Sequence, residues 1–280
     1  MKSSAHLKKE EDWREIKKTT VQSDVMMLLS RAKRLIRQAD TKDRVLELID
    51  TYLDVLRIDP DNYEALWSLG RYYQLMGFAY SHSIPEKEQY YLAQIRSCER
   101  AMETNHPYKA LIENGEPVEK ACRALTEREM HAIAYWSFGY GAYYKECFGR
   151  IGKLMKISLA VKARKVAERM MEINPTFDGG HPLVFMAGYY ALLPQLLGGD
   201  TAKAADFYAR AVKAGPKRLF ARYCRARFLY TKMENRKAFR EDLEWVIAQD
   251  PHMLDSPYAW NVFFQSSARE MLRNMHTYFK

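Results

Sequence analysis

Apolar residues recur three and four positions apart along most of the chain, which is the spacing of one face of an α-helix. In the segment 25–36 the apolar positions with this spacing are Val25, Leu28, Leu29, Ala32, Leu35 and Ile36. The segment 45–58 repeats the pattern, and no stretch alternates apolar and polar residues for long enough to predict a β-strand. The pattern therefore predicts an all-α protein.

A stop signal for helices recurs along the sequence, because a proline cannot continue the helix that precedes it. The signals are Asp59-Pro60, Asn174-Pro175, Gly215-Pro216 and Asp250-Pro251, with His106-Pro107 at a fitting distance. Upstream of the stops, an aromatic residue is followed three positions later by Gly or Ala, at 67–70, 136–139, 185–188 and 223–226. A mid-helix glycine costs about 1 kcal/mol against alanine, so its recurrence predicts close packing with another helix.

These signals divide the chain into four degenerate helix pairs that resemble tetratricopeptide (TPR) repeats. The predicted repeats are residues 62–107, 126–175, 181–216 and 218–251. A helix pair at 25–58 and a helix at 257–279 would cap the array, as a solenoid requires. We therefore predict one TPR-like α-α superhelical domain over residues 21–280, preceded by a flexible charged segment, residues 1–20.

The stretch 132–212 carries a denser set of motifs, in which turns rich in glycine and proline flank a helix rich in tyrosine. The turn residues are Asn174, Pro175, Gly179, Gly180, Pro194, Gly198, Gly199 and Asp200. Together with the aromatic run at 134–139, this combination is similar to the TatT family, the TPR-containing component associated with a class of bacterial TRAP transporters. The likeness covers roughly residues 40–275.

The resemblance implies an all-helical periplasmic helper that pairs with a periplasmic solute-binding protein. It also implies a homotrimer and an apolar or organic-acid ligand. Family members usually carry a lipoprotein leader, whereas residues 1–18 contain no apolar run. We expect the periplasm if a leader has been removed, and the cytoplasm if the chain is complete as given.

The first helix of a TPR-like repeat lines the concave face with residues three or four apart. Counted from each aromatic position, this stripe also passes through Gln74 and Leu192. Its candidate groove residues are Trp67, Arg71, Trp136, Tyr140, Tyr143, Phe185, Tyr189, Tyr223, Arg227 and Tyr230. Such a stripe would suit a partly apolar ligand, with Arg71 and Arg227 at its anionic end. The alternative is that these aromatic side chains fill the core between helices, and the sequence leaves both possibilities open.

Composition changes the picture mainly through charge. The chain has 44 Lys and Arg against 35 Asp and Glu, a formal net charge of +9, which favours anionic partners. Residues 213–240 hold ten basic side chains and only Glu234 against them. The candidate docking face for an acidic partner consists of Arg218, Arg222, Arg225, Arg236 and Arg240. A solvated face and an anion site are the alternatives, and nucleic acid is an unlikely partner.

Sequence signatures of catalysis are missing, since the chain has no Walker A, GxSxG, HExxH or strand-associated GxGxxG motif. No apolar run is long enough to span a membrane. We therefore predict a binding protein without enzymatic activity, cofactor or metal. The first possibility is a TatT-like protein that binds a small organic ligand, a solute-binding partner protein, or both. The alternative is a generic TPR scaffold that binds a peptide or acidic protein segment in its groove.

Overall fold

A computed structural model describes residues 21–279, and every regular element in that range is helical, which confirms the predicted all-α fold. The predicted flexible segment 1–20 lies outside the described residues. The first helices are α1 (21–36), α2 (Lys42–Ile58), α3 (Tyr63–Leu75), α4 (Ile84–Glu103), α5 (His106–Glu113), α6 (Val118–Ala121) and α7 (Met130–Cys147). The next are α8 (Arg150–Met155), α9 (Ile157–Ile173), α10 (Phe177–Leu192), α11 (Thr201–Ala214), α12 (Leu219–Cys224), α13 (Arg236–Ala248) and α14 (Tyr258–Arg273).

Local signals account for the helix boundaries. Helices α2, α9, α11 and α13 each end two or three residues before the next proline. Pro107 differs, because it lies in the first turn of α5, where its missing N–H costs nothing. At the start of α3, Asn62 accepts a hydrogen bond from the backbone N–H of Ala65 at 3.0 Å. At the start of α4, Ser83 and Glu86 form a reciprocal capping box.

Neighbouring helices pack in pairs, namely α3 with α4, α7 with α9, α10 with α11, and α12 with α13. The first helices of successive pairs also touch, in the order α3, α7, α10 and α12. Helix α2 packs on α3 at one end of this series, and α14 packs on α12 and α13 at the other. Stacked helix pairs would give this order of neighbours, while the TPR-like superhelix itself stays a prediction.

Helix α4 approaches α3 and α7 at two of the recurring glycines. A Cβ atom at Gly70 would lie 2.4 Å from the Sγ of Cys98, and one at Gly139 would lie 3.0 Å from the side chain of Gln94. A larger residue at either position would force the facing side chains of α4 to shift. The third glycine, Gly188, is different, because its nearest neighbour is the hydroxyl of Tyr208 at 3.8 Å. Gly188 borders a cavity.

Candidate ligand-binding cavity

A cavity of about 620 Å³ lies among α7, α9, α10, α11, α12 and α14. Its interior end is bounded by the buried side chains of Gln74, Tyr208 and Trp260. It reaches the surface between α8 and the turn at 192–197, where lining residues such as Leu154 are exposed. Sites for small molecules occupy about 300–1,000 Å³, so the volume suits a small organic ligand.

Twelve of the 29 residues that line the cavity are aromatic, and small residues leave the space open. The rings belong to Phe78, Phe138, Tyr144, Phe185, Tyr189, Tyr208, Phe220, Tyr223, Phe228, Trp260, Phe263 and Phe264. The small residues are Gly141, Ala142, Ala160, Ala163 and Gly188. Phe138 packs edge to face on Phe185 and on Phe220, with ring centroids 5.3 and 5.4 Å apart. Edge-to-face contacts of this kind are favourable and stabilise the packing of the wall.

Two π-helical turns contribute to this wall. One, Met76–Tyr80, continues α3 and supplies Phe78. The other, Arg225–Tyr230, continues α12 and supplies Arg227 and Phe228. A π turn adds a residue to the helical repeat and so turns the following side chains to another face.

The cavity wall contains four basic residues and, among the described residues, no acidic one. The basic residues are Lys145, Arg150, Lys153 and Arg227. Arg227 donates from Nη1 to the hydroxyl oxygen of Tyr223 at 2.6 Å, and that oxygen lies 2.9 Å from the Oγ of Ser267. Within residues 21–279 Arg227 has no ion pair. A half-buried guanidinium without a carboxylate partner leaves a positive potential in an apolar wall.

Lys145 adds a second cation at the same place. Its Nζ lies 4.5 Å from the ring centroid of Phe228, while the Cζ of Arg227 lies 5.5 Å from that centroid. Glu146 is only a partial counter-ion, because its Oε1 is 3.5 Å from Lys145 while its Oε2 binds the Nζ of Lys87 at 2.9 Å. Burial and, to a smaller extent, the neighbouring charge of Arg227 lower the pKa of Lys145 to about 8, against the opposing effect of Glu146.

A polar cluster adjoins the interior end, around a void of about 30 Å³, roughly the volume of one water molecule. Asp178, with φ of +48°, lies in the turn that opens α10. Its carboxylate pairs with Arg218 and lies 3.3 Å from the Nδ1 of His181. Burial lowers the pKa of His181, whereas the pKa of Asp178 is lowered by His181 and Arg218 despite its burial. This cluster holds the start of α10 against the start of α12.

The ten predicted groove residues divide between the cavity and its surroundings. The cavity is lined by Phe185, Tyr189, Tyr223 and Arg227. Trp136 is fully buried in the core, where its Nε1 donates to the Oε1 of Glu99 at 3.0 Å. Tyr140 packs against Trp136, with ring centroids 4.4 Å apart. Trp136 and Tyr140 thus belong to the packing between helices.

The remaining predicted groove residues do not line the cavity. Trp67 stacks on His131 with centroids 4.0 Å apart, and the Cζ of Arg71 lies 4.6 Å from the Trp67 ring. Burial lowers the pKa of His131 to about 4, so this imidazole is neutral at physiological pH. Tyr143 donates its hydroxyl to a glutamate of α4 at 2.9 Å. Tyr230 packs beneath an arginine of its own π turn.

Three residues of the candidate docking face form ion pairs within the fold. Arg218 pairs with Asp178, as described above. Arg222 and Arg225 both bind the carboxylate of Asp242, at 2.9 and 2.7 Å. The side chain of Asp242 is only 4% exposed, so these two guanidinium groups hold α12 against α13.

The other two residues of that face lie on the outer side of α13. The Nη1 of Arg240 is 4.0 Å from the Oε1 of Glu244, and both side chains are more than half exposed. The Cζ of Arg236 lies 5.5 Å from the ring centroid of Phe279. Arg236 and Arg240 are therefore the members of the docking face that a partner could reach.

Asp242→Asn should lower the free energy of unfolding by about 2 kcal/mol, because Arg222 and Arg225 would stay partly buried without their counter-ion. Urea denaturation measures the change. Glu244→Gln on the same helix is the matched control, and we expect it to change stability by less than about 0.5 kcal/mol, since its ion pair is exposed. Equal losses in the two variants would contradict a structural role for Asp242.

The motif turns lie at the two ends of α10. The first contains Asn174, Pro175, Gly179 and Gly180, and the second contains Pro194, Gly198, Gly199 and Asp200. Asp200 caps α11, because its Oδ1 accepts from the backbone N–H of Lys203 at 3.0 Å. The second turn also carries cavity-lining residues, namely Leu193, Pro194 and Leu197. It forms one lip of the cavity mouth.

Several residues of the cavity were missed from the sequence. Lys145 interrupts the aromatic run of α7, which is the one signal that could have drawn attention to it. Helix α14, predicted as a cap and not as part of a ligand site, supplies Trp260, Phe263 and Phe264. Neighbouring residues of a helix point in different directions, so adjacent Phe263 and Phe264 indicated a helix covered on more than one side.

None of the helices described between residues 21 and 279 is long and apolar enough to cross a bilayer. In the same range no group of His, Cys, Asp or Glu is placed to hold a metal ion. The fold and the cavity define an all-helical protein with a deep apolar space that is rich in aromatic residues and has basic residues in its wall. Such cavities between packed helices are typical sites for small organic molecules.

The chain belongs to the TRAP transporter T-component family, TAtT, whose family model matches residues 88–279. This confirms the resemblance seen in the motifs, and it supports an accessory role in transport. The matched range includes all the lining residues of the cavity except Gln74 and Phe78. No curated protein matches the chain.

Proposed function

We propose that this T-component binds a small organic acid with an apolar body in the cavity, and that it does so without catalysis. The observation that carries the proposal is a cavity of about 620 Å³, rich in aromatic residues, with Lys145 and Arg227 in its wall and no acidic lining residue within 21–279. A buried carboxylate is costly unless it is paired and hydrogen-bonded. Lys145 and Arg227 supply that pairing, because their nearby carboxylate, Glu146, also binds Lys87 and neutralises them only in part.

The arrangement of the wall suggests how such a ligand lies. Its carboxylate accepts hydrogen bonds from Lys145 and Arg227, beside the hydroxyl of Tyr223. Its apolar body packs along the rings of α10 and α14. Arg71, assigned to the anionic end on sequence grounds, is not a lining residue, so we give that role to Lys145.

The family supports a further proposal about partners. We infer that a periplasmic solute-binding protein docks on the chain, with Arg236 and Arg240 as contacts for acidic side chains, and that the chain forms a homotrimer. The alternative is a generic scaffold that binds a peptide or acidic protein segment. The described wall of the cavity does not favour a peptide, because its lining is mostly apolar and few polar groups face inward.

Isothermal titration calorimetry tests the ligand proposal. Dodecanoate should bind, whereas dodecylammonium, which has the same chain and the opposite charge, should not. An acidic peptide serves as the probe for the alternative. Equal affinity for the two amphiphiles, or binding of the peptide alone, would overturn the assignment.

The affinity for dodecanoate should be steady below about pH 8 and fall above it, by up to about tenfold per pH unit. In the protein without ligand, the ammonium group of Lys145 loses its proton near pH 8. A bound carboxylate favours the protonated form of Lys145. Binding above pH 8 must therefore take up a proton. Lys145→Met should flatten this profile. If the affinity of the wild type did not change between about pH 7 and 10, Lys145 would not bind the carboxylate of the ligand.

A further inference from the structure

Exposed apolar side chains lie on both sides of the cavity mouth. On α8, Ile151, Leu154 and Met155 are 76%, 61% and 76% exposed, and their spacing places them on one helical face. On the opposite lip, Leu192 and Leu196 are 44% and 99% exposed. We call these five residues the mouth patch. Leu154 and Leu192 also line the cavity, so the patch is continuous with the cavity wall.

The surroundings of the mouth patch are strongly basic. The segment 150–165 contains six basic residues and no acidic one. Arg150, Lys153 and Lys156 lie on or beside α8, and none of the three has an ion pair within residues 21–279. The backbone carbonyl of Lys153 accepts a hydrogen bond from the hydroxyl of Tyr144 at 3.0 Å. This contact holds α8 on α7 and keeps the apolar face turned outward.

We propose that the mouth patch docks on the surface of an anionic lipid bilayer and brings the cavity mouth to the level of the acyl chains. Apolar side chains flanked by Lys and Arg are what binding in the interface of an anionic membrane requires. A stable protein interface uses about 20–30 residues a side, whereas the patch offers five apolar side chains and three cations on two separate lips. A bilayer needs no matching shape, so it fits this surface better.

The consequence concerns the route of the ligand. An amphiphilic acid could pass between the membrane and the cavity without its apolar body crossing water. That consequence rests on the proposed function, whereas the docking rests on the mouth patch alone.

Co-sedimentation with vesicles tests the docking, using the full chain. We expect binding to vesicles of phosphatidylglycerol mixed with phosphatidylcholine and little binding to phosphatidylcholine alone. High salt should weaken the binding, because the attraction between exposed charges is screened. Absence of binding to the anionic vesicles would overturn the proposal.

Paired variants locate the contact. Ile151→Ser combined with Met155→Ser should reduce vesicle binding at least about tenfold, because each removes apolar area from the membrane contact. Neither residue lines the cavity, so calorimetry with dodecanoate should give the wild-type affinity. Met253→Ser, at a residue 75% exposed that does not line the cavity, is the control and should leave vesicle binding unchanged.

Charge variants give a second test. Lys156→Glu should weaken binding to the anionic vesicles several-fold more than Lys237→Glu, which changes a side chain 89% exposed on α13. Equal effects of the two changes would show that net charge and not the patch drives binding, and would contradict the proposal.

Two other outcomes would reassign the mouth patch to protein contacts. Analytical ultracentrifugation would show the Ile151→Ser, Met155→Ser variant dissociating if the patch joins copies of this chain. If the same variant failed to bind a purified acidic solute-binding protein but still bound vesicles, the mouth patch would be a docking site for that protein. Failure of dodecanoate binding in the wild type would overturn the ligand proposal and leave the vesicle result to be judged separately.

Discussion

Replacing Lys145 and Arg227 together by methionine is expected to lower the affinity for dodecanoate by about 100-fold or more, about 2.7 kcal/mol. A hydrogen bond to a charged group contributes about 1.5–3 kcal/mol, and the variant removes two such donors. Methionine keeps an unbranched apolar side chain of similar length, so the wall stays filled. The affinity for dodecanol, which has no charge, should stay within about threefold. Calorimetry with the two ligands measures both effects.

The matched control is the other basic pair of the wall, at the mouth. Arg150→Met combined with Lys153→Met makes the same change in charge, but these residues lie where the cavity meets solvent. We expect slower association and an affinity for dodecanoate within about fivefold of the wild type, because outer charges act mainly on the rate of encounter. If replacing Lys145 and Arg227 lowered the affinity for dodecanol as strongly as that for dodecanoate, the substitutions would have changed the shape of the cavity. If it lowered neither affinity, the carboxylate would bind elsewhere.

The distribution of the aromatic residues shows what a sequence pattern can predict. Trp136 and Phe185 occupy the same place in the recurring aromatic pattern and are both buried, yet of the two only Phe185 lines the cavity. Helix α4 covers Trp136, where Gly139 lets it approach, and its Glu99 accepts the indole N–H. Phe185 instead borders the open space next to Gly188. Helical spacing defines a face, but the partner helix decides whether that face is covered.

The π turns limited the prediction of the binding residues in another way. Counting three and four residues from Tyr223 assumes a regular helix, whereas the chain forms a π turn over Arg225–Tyr230. Arg227 and Phe228 face the cavity, while Tyr230 packs beneath Arg225 away from it. The extra residue per turn changes the face on which each later side chain lies. No residue type in this segment predicts a π turn.

The basic segment 213–240 illustrates a limit of charge patterns. That segment contains ten basic residues and one acidic residue, and this excess of charge predicted an exposed positive face. The neutralising groups come from outside it, since Asp178 precedes the window and Asp242 follows it. The helix ends and the all-α fold were predictable because their signals are local, whereas ion pairs between helices depend on tertiary contacts.

Gly199→Ala is expected to lower the free energy of unfolding by about 3 kcal/mol. A Cβ atom at this position would lie 1.9 Å from the carbonyl oxygen of Leu193 and 3.0 Å from the carbonyl carbon of Pro194. These are backbone atoms, so a change of side-chain rotamer cannot relieve the clash. The turn is also fixed from both sides, because the N–H of Gly199 donates to Pro194 at 3.0 Å and Lys232 donates to Leu193 at 3.2 Å. Thermal and urea denaturation would both report the loss.

Gly149→Ala is the matched control, since Gly149 precedes α8 on the opposite lip and no atom lies within 4 Å of an added Cβ. We expect its stability to stay within about 0.5 kcal/mol of the wild type. Wild-type stability of Gly199→Ala would mean that the turn has room to shift. Because this turn carries Leu193, Pro194 and Leu197 of the cavity wall, its displacement should also weaken dodecanoate binding several-fold in the folded variant. The second glycine of the family motif therefore links the stability of the fold to the shape of the cavity mouth.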